Sequence, residues 1–225
     1  MQSPIDTFIA PVCHEQIRIL YQDEYLLMIE KPSGLLSLSG KHPLNKDSVH
    51  YRLTQNFPSA TLVHRLDFGT SGIMLVALNK QVNAELTKQF QARTVEKRYI
   101  AFLNGWVEKD IGYIEAPIAK DKENFPLQKI CYLEGKPARS FYRVLERTSN
   151  PDVTKVEFQP ESGRTHQLRI HSRELGHEIV GCDLYASKKV GDMSHRLMLH
   201  ASYIQFTHPL SQERVQGESK LAPFC

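Results

Sequence analysis

The chain has 225 residues, 41% hydrophobic and 24% charged, with a formal net charge of +3. That length suits one large domain or two small ones, and a chain of this size buries about 70% of its unfolded surface, so its core needs no disulfide or metal. The small net charge admits a polyanionic partner without demanding one.

In chain order, residues 1–16 read as an N-terminal arm, and 17–21 and 25–30 as short strands, the second ending in the turn Lys31-Pro32-Ser33-Gly34. Residues 45–56 suit a helix, with Asn45 or Asp47 at its cap, Val49 and Leu53 inward, and Arg52 and Asn56 outward. Residues 61–67 alternate as a strand that would bring Arg65 and Asp67 out on one side, and Gly69 and Gly72 then break it. The run 73–78 is apolar on both faces, as in a central buried strand. Asn79 caps a helix to about residue 92 whose core face is Val82, Leu86 and Phe90. The pattern then turns mostly to strands, at 97–103, 113–118, 129–133, 138–146 and 154–159. A helix over 164–175 follows, with Ser162 as its cap and Gly176 as its end. A last strand at 197–206 precedes a polar tail. Strands dominate and βαβ regularity is absent, which makes an α+β chain on a central mixed or antiparallel sheet, flanked by helices and loops.

The four cysteines are scattered, and the N-terminus lacks the basic start and apolar core of a signal peptide. The longest apolar run, 73–78, is too short to span a bilayer. A reduced, cytoplasmic protein without a membrane segment is the expectation. The ten histidines are dispersed, with no H-E-x-x-H and no Cys/His cluster, so core, capping or RNA-contacting roles are expected of them and no metal.

The segment HRLDFGTSG, residues 64–72, contains both HRLD and DFG. Kinases keep two such segments apart, each with its own aspartate, whereas here Asp67 would have to serve both. No glycine-rich loop, V-A-I-K lysine or A-P-E accompanies it, so the kinase reading fails. An Arg–Asp pair stitching a loop is the plainer alternative. Three further segments are dense in polar groups: KRYIAFLNG (97–105), ESGRTHQLRIH (161–171) and RLMLHA (196–201). Alone, Lys97 and Arg98 read as strand-edge charges, and Thr165, Arg169 and Arg173 as a wet helix face.

Taken together and in this order, the segments resemble the RluA-type pseudouridine synthase family. HRLDFGTSG matches its HRLD-x-x-T-S-G segment, KRY the segment that supplies a tyrosine, and SGRTHQLRIH, LGHEIVGCDLYA and RLMLHA its remaining motifs. YQDEYLLMIEKPSGLLS matches the family's opening segment, and the resemblance runs from about Tyr21 to Phe206. Many relatives carry an extra small N-terminal RNA-binding domain, for which the residues before the first strand leave no room. The expectation is a single catalytic domain over 17–225, most like the compact branch whose members act on both rRNA and tRNA.

The resemblance implies an enzyme that isomerises uridines in structured stem-loops of large-subunit rRNA, the tRNA anticodon arm, or both, acting as a monomer. The reaction breaks the N1–C1′ bond, turns the base and rejoins it through C5, so no cofactor is needed. Asp67 matches the catalytic aspartate, and an ionised carboxylate can add to C6, attack C1′ or remove a sugar proton. Arg169 matches the arginine that pairs with it and keeps it charged, through two-point contact. Tyr99 would stack on the flipped uracil and serve in proton transfer, and Arg65 would fill the gap that the extruded base leaves. His64 and Thr70 would hold the loop, and Leu199 would close the pocket or serve as a core strand residue. Arg164 would bind RNA, and the basic runs Lys88, Arg93, Lys97, Arg98 and Lys120, Lys122, Lys129, Lys136, Arg139 would meet phosphates. Two alternatives stand beside this reading. A non-catalytic RNA-binding module or RNA chaperone would have no use for a carboxylate facing an anionic ligand. A glycosidase would need a second paired acid, for which Asp47 and Glu161 are the only suggestions.

Overall fold

The structure, a computed structural model, describes residues 8–220. Two strands, β1 (Arg18–Gln22) and β2 (Leu26–Lys31), open the chain as a hairpin. They are followed by α1 (Val49–Thr54), the two-residue β3 (Thr61–Leu62), β4 (Ser71–Ala77) and α2 (Lys80–Ala92). Next come β5 (Glu96–Asn104), β6 (Ile111–Glu115), β7 (Ile118–Lys120), β8 (Gln128–Ile130), β9 (Arg139–Thr148) and β10 (Val153–Pro160). Two helices, α3 (Gln167–Glu174) and α4 (Lys188–Gly191), precede β11 (Leu199–Thr207) and β12 (Arg214–Glu218). Ten strands form one sheet along the path β1-β2-β4-β11-β5-β10-β9-β6, with β3 paired to β4 and β12 to β11, while β7 and β8 make a separate small ladder. The pairing is antiparallel except between β4 and β11, so the sheet is mixed and the fold α+β.

The middle of the sheet is buried on both faces. All seven residues of β4 are buried. Leu26, Met28, Ile73 and Leu75 pack against Val82 and Leu86 of α2, while Leu27, Ile29, Met74 and Val76 pack against Val49 and Leu53 of α1. The strand period of two splits one apolar run between two cores. A third core lies under the other half of the sheet, where Ala101, Val156 and Phe158 meet Leu168 and Ile170 of α3.

The parallel contact between β4 and β11 is two residues long, His200 opposite Ser71 and Ala201 opposite Gly72. Beyond it β4 turns to β3 and β11 to β12. Gly72 makes the crossing possible: its φ is +112°, and a Cβ there would lie 2.3 Å from the Ala201 carbonyl oxygen. The segment just before Gly72 is thereby pinned at the centre of the sheet.

Four expectations need correcting. The first helix starts later than expected, capped by Ser48, whose hydroxyl accepts from the Tyr51 amide. Asn45 is instead buried and ties the Phe8 carbonyl and Ala10 amide to the body, and Asp47 pairs with Arg52. The strand expected over 61–67 ends at Leu62, because side chains take over from the ladder, as described below. The helix expected from 164 begins at Gln167 without a side-chain cap, since Ser162 Oγ is engaged with Gln167 Oε1 and the Arg139 amide. The polar tail contains β12, an edge strand whose burial alternates around Val215.

Candidate active site

Residues 63–70 form a loop between β3 and β4, and almost every polar backbone atom at its turn has a partner. The Leu66 carbonyl accepts from Ser37 Oγ at 2.7 Å, the Asp67 carbonyl from the Thr70 amide at 3.1 Å, and the Gly69 carbonyl from Ser33 Oγ at 2.7 Å. The Phe68 carbonyl accepts twice, from the Gly34 amide at 3.0 Å and Lys31 Nζ at 3.1 Å. Four consecutive carbonyls are thus held, three of them by the KPSGLLS segment, and Lys31 is wholly buried beneath them. Burial lowers the Lys31 ammonium to about 7, against the pull of Cys13 and Asp67. His64 completes the frame: its Nε2 accepts from the Leu75 amide at 3.0 Å, where a strand carbonyl would otherwise sit, and its ring stacks on Phe90. Ser71 closes the far end through His200 Nδ1 at 2.8 Å and Arg196 at 3.0 Å. A side chain on such a loop is preorganised, because the backbone cannot move without breaking several bonds at once.

The loop forms one wall of a cleft of about 510 Å³. His64, Arg65, Asp67 and Thr70 reach it from the loop, Lys97 and Tyr99 from β5, Arg164 and Arg169 from the start of α3, and Leu199 from β11. Nine of the ten residues singled out in the sequence therefore share one cavity. Arg98 does not. It lies on the other face of β5 from Lys97 and Tyr99, paired with Glu96 at 2.6 Å and placed over the Tyr203 ring. Arg65 is exposed and makes no hydrogen bond or ion pair with any described residue, so the loop-stitching Arg–Asp pair is not formed. Leu199 is buried in the third core as well as lining the cleft, so both readings of it apply.

Arg169 departs from expectation in two ways. It is 4% exposed and so not part of a wet helix face. Its guanidinium pairs with Asp183 and donates to Cys182 Sγ at 3.3–3.4 Å; the ion pair with Asp67 is not formed. Burial works against the charge on Arg169, but Cys182, Asp183 and, last, Asp67 outweigh it and raise its pKa. Asp67 is the carboxylate common to the site: its charge also reaches Tyr99, His166 and Tyr185. Burial first and Asp67 second push the Tyr99 phenol far above its usual range, so Tyr99 is a neutral hydroxyl at physiological pH. The second acid in the cleft, Glu161, is taken by Arg139, and Asp47 by Arg52 outside it.

Sequence reasoning assigned no role to Lys31, Ser33, Ser37, His166, Cys182 or Asp183. His166 precedes α3 in the left-handed region, φ 57°, lines the cleft, and sits with Nδ1 2.6 Å from the Tyr185 hydroxyl. That hydroxyl accepts from the Gln128 amide, which couples the cleft to β8. Among the described residues no group of three or more His, Cys, Asp or Glu is placed to hold a metal ion, and no helix is long and apolar enough to cross a membrane.

Two histidines of the frame make folding acid-sensitive. Burial first, with Lys97 adding to it, lowers His64 to about 3, and burial lowers His200 to about 4, both from 6.5. Between pH 6.5 and about 3 the unfolded chain holds more protons than the folded one, so stability falls as pH falls, with His200 contributing down to about 4 and His64 down to about 3. Each ring contributes a slope of up to roughly 1.4 kcal/mol per pH unit. The urea midpoint is expected to drop steadily between pH 6.5 and 4.5, and His200→Gln to remove part of that slope. A midpoint independent of pH would show that these rings take up protons in the fold as readily as in the unfolded chain.

Residues 25–174 match the family model described as RNA pseudouridylate synthase. Over 191 residues, 85% of this chain, the sequence is 45% identical to the "Dual-specificity RNA pseudouridine synthase RluA" of Yersinia pestis, covering 92% of that protein. It is 44% identical over 196 residues to the protein of the same name from Vibrio parahaemolyticus, covering 86% of this chain and 78% of that one. Among solved structures, "Human RNA Pseudouridylate Synthase Domain Containing 1" superposes with a TM-score of 0.77 at 30% identity, over 93% of this chain and 85% of its own.

Proposed function

The chain belongs to the RNA pseudouridylate synthase family and is an RNA pseudouridine synthase, and from that premise we propose that its cleft takes up one uridine flipped out of a structured stem-loop, in both rRNA and tRNA. The observation that carries this is the placement of Asp67. It is one carboxylate on a fully tied loop, in the field of Arg169 and beside the neutral Tyr99, in a cleft edged by cations that lack acid partners. Its volume, about 510 Å³, lies in the range that holds a small ligand.

Asp67 is the covalent or proton-transferring group. Arg169 acts on it through space from its seat on Asp183 and Cys182, a different arrangement from direct pairing. The buried guanidinium leaves the oxygens of Asp67 free for the substrate. Tyr99 offers a ring face to the uracil, and its raised pKa keeps the phenol protonated, a hydrogen-bond donor. Arg65, free on the cleft rim, is the group that refills the stack. The dual substrate is supported by the name of the relatives above, dual-specificity RNA pseudouridine synthases. Carbodiimide mapping of RNA from a strain lacking the gene is expected to show pseudouridine lost at one or more positions in each of the two RNA classes. Loss in one class alone would reject the dual assignment.

Phosphate contact brings a salt signature. If Lys97 and Arg164 each meet a separate phosphate, log affinity falls against log salt with a slope of about −1.4, at about −0.7 per single-stranded contact. A flat profile would remove the phosphate contacts while leaving the base pocket standing. Of the second basic run, Arg139 is committed to Glu115 and Glu161 and Lys129 to Asp121, so it adds less.

A further inference from the structure

An annex of about 240 Å³, lined by Arg93, Val95, Lys97, Pro160 and Glu161, shares all of these but Val95 with the cleft. Its charges are unbalanced. Arg93 and Lys97 are close enough for the first to depress the second, whose pKa falls chiefly through burial and then through Arg93. Neither side chain has a hydrogen bond or ion pair to any described residue. The acid at hand, Glu161, is turned to Arg139, which holds both of its oxygens at 3.3 Å, and Glu96 is on the far face with Arg98. Lys97 Nζ lies 5.7 Å from the Phe90 ring and close enough to His64 to act on it, and neither group balances its charge. Arg93 also occupies a left-handed position, φ 58°, that glycine would fill more cheaply. A basic residue at the C-terminus of α2 is favoured by the helix dipole, which accounts for Arg93 but not for a half-buried lysine set against it. Two like charges held together without an anion cost free energy, and a bound anion between them recovers it.

We infer that Arg93 and Lys97 jointly clasp a single backbone phosphodiester of the RNA, adjoining the uridine that enters the cleft. The inference rests on the reading of the cleft as a uridine site. Thr87 and Gln91, which also line the cleft there, add uncharged donors suited to the same oxygens. Because two cations share one phosphate, they count once in counterion release.

The test is a binding cycle on a stem-loop substrate. Arg93→Gln/Lys97→Gln is expected to lower the salt slope by about 0.7, the share of one phosphate, and not by twice that. Substrates carrying one neutral methylphosphonate at a time around the target uridine locate the partner. Wild type is expected to lose about tenfold in affinity at one position, and the double variant, already weakened, nothing further at that position alone. Lys188→Gln, on α4 outside the cleft and paired with Asp192, is the control expected to bind as wild type. The double variant should also unfold close to the wild-type urea midpoint, since no intramolecular hydrogen bond or ion pair is lost. An unchanged salt slope, a drop near 1.4, or additivity at every methylphosphonate would overturn the inference. If the wild-type protein released no tritium from 5-tritiated uridine RNA, the uridine reading would fail, while the binding cycle would still decide whether the annex holds a phosphate.

Discussion

Asp67→Asn is expected to lose isomerisation by at least about a thousandfold while RNA affinity stays within threefold of wild type. The amide keeps the shape and removes the charge. Neither covalent attack nor proton removal survives that exchange, and a positioned group of this kind contributes about 10²–10⁴-fold even as an acid or base alone. Affinity persists because the loop is tied through backbone carbonyls, not through the Asp67 carboxylate. Binding to a polyanion can only gain from losing a negative charge in the cleft. A second readout is independent of rate: Asp67 helps to raise the Tyr99 phenol, so the substitution should bring that group down from its far-shifted position in a spectrophotometric titration. Tritium release from 5-tritiated uridine RNA measures the chemistry. Activity within tenfold of wild type would remove Asp67 from the reaction.

Much of this site could be read from the chain because its residues fall in strands and helices of clear period. The apolar run at 73–78 announced a strand buried on both faces, and β4 is buried throughout. The alternation in β5 puts Lys97 and Tyr99 on one face, and the same period should have placed Arg98 on the other. Periodicity misled at 61–67, where Leu62, His64 and Leu66 alternate as a strand would. The ladder stops because the His64 ring takes the Leu75 amide and Ser37 takes both polar atoms of Leu66. Such side-chain substitution leaves no trace in a hydrophobic pattern. The seat of Arg169 on Asp183 and Cys182 was equally hidden, because it joins α3 to the loop before α4 through space. β12 is an edge strand with one apolar anchor, Val215, too little for a pattern to find.

The second large effect concerns Arg65, and it depends on the substrate. A paired structural arginine would affect stability and every RNA alike. Arg65 is exposed and unpaired, so Arg65→Ala should leave the urea midpoint unchanged. What it should change is the cost of extrusion. A uridine in a folded loop gives up stacking worth about 1–3 kcal/mol per base, and a guanidinium in the vacated stack offsets part of that. In a short, unstructured RNA of the same sequence there is little stacking to replace. Single-turnover rates are therefore expected to fall roughly five- to hundredfold on the stem-loop, the kinetic equivalent of that energy, and less than threefold on the unstructured RNA. Arg65→Lys should recover little, since an ammonium on a flexible stem keeps the charge for phosphate contact but has no plane to stack. Equal fractional losses on the two RNAs, or full rescue by lysine, would assign Arg65 to phosphate binding and leave the refilling of the helix to another group on the cleft rim.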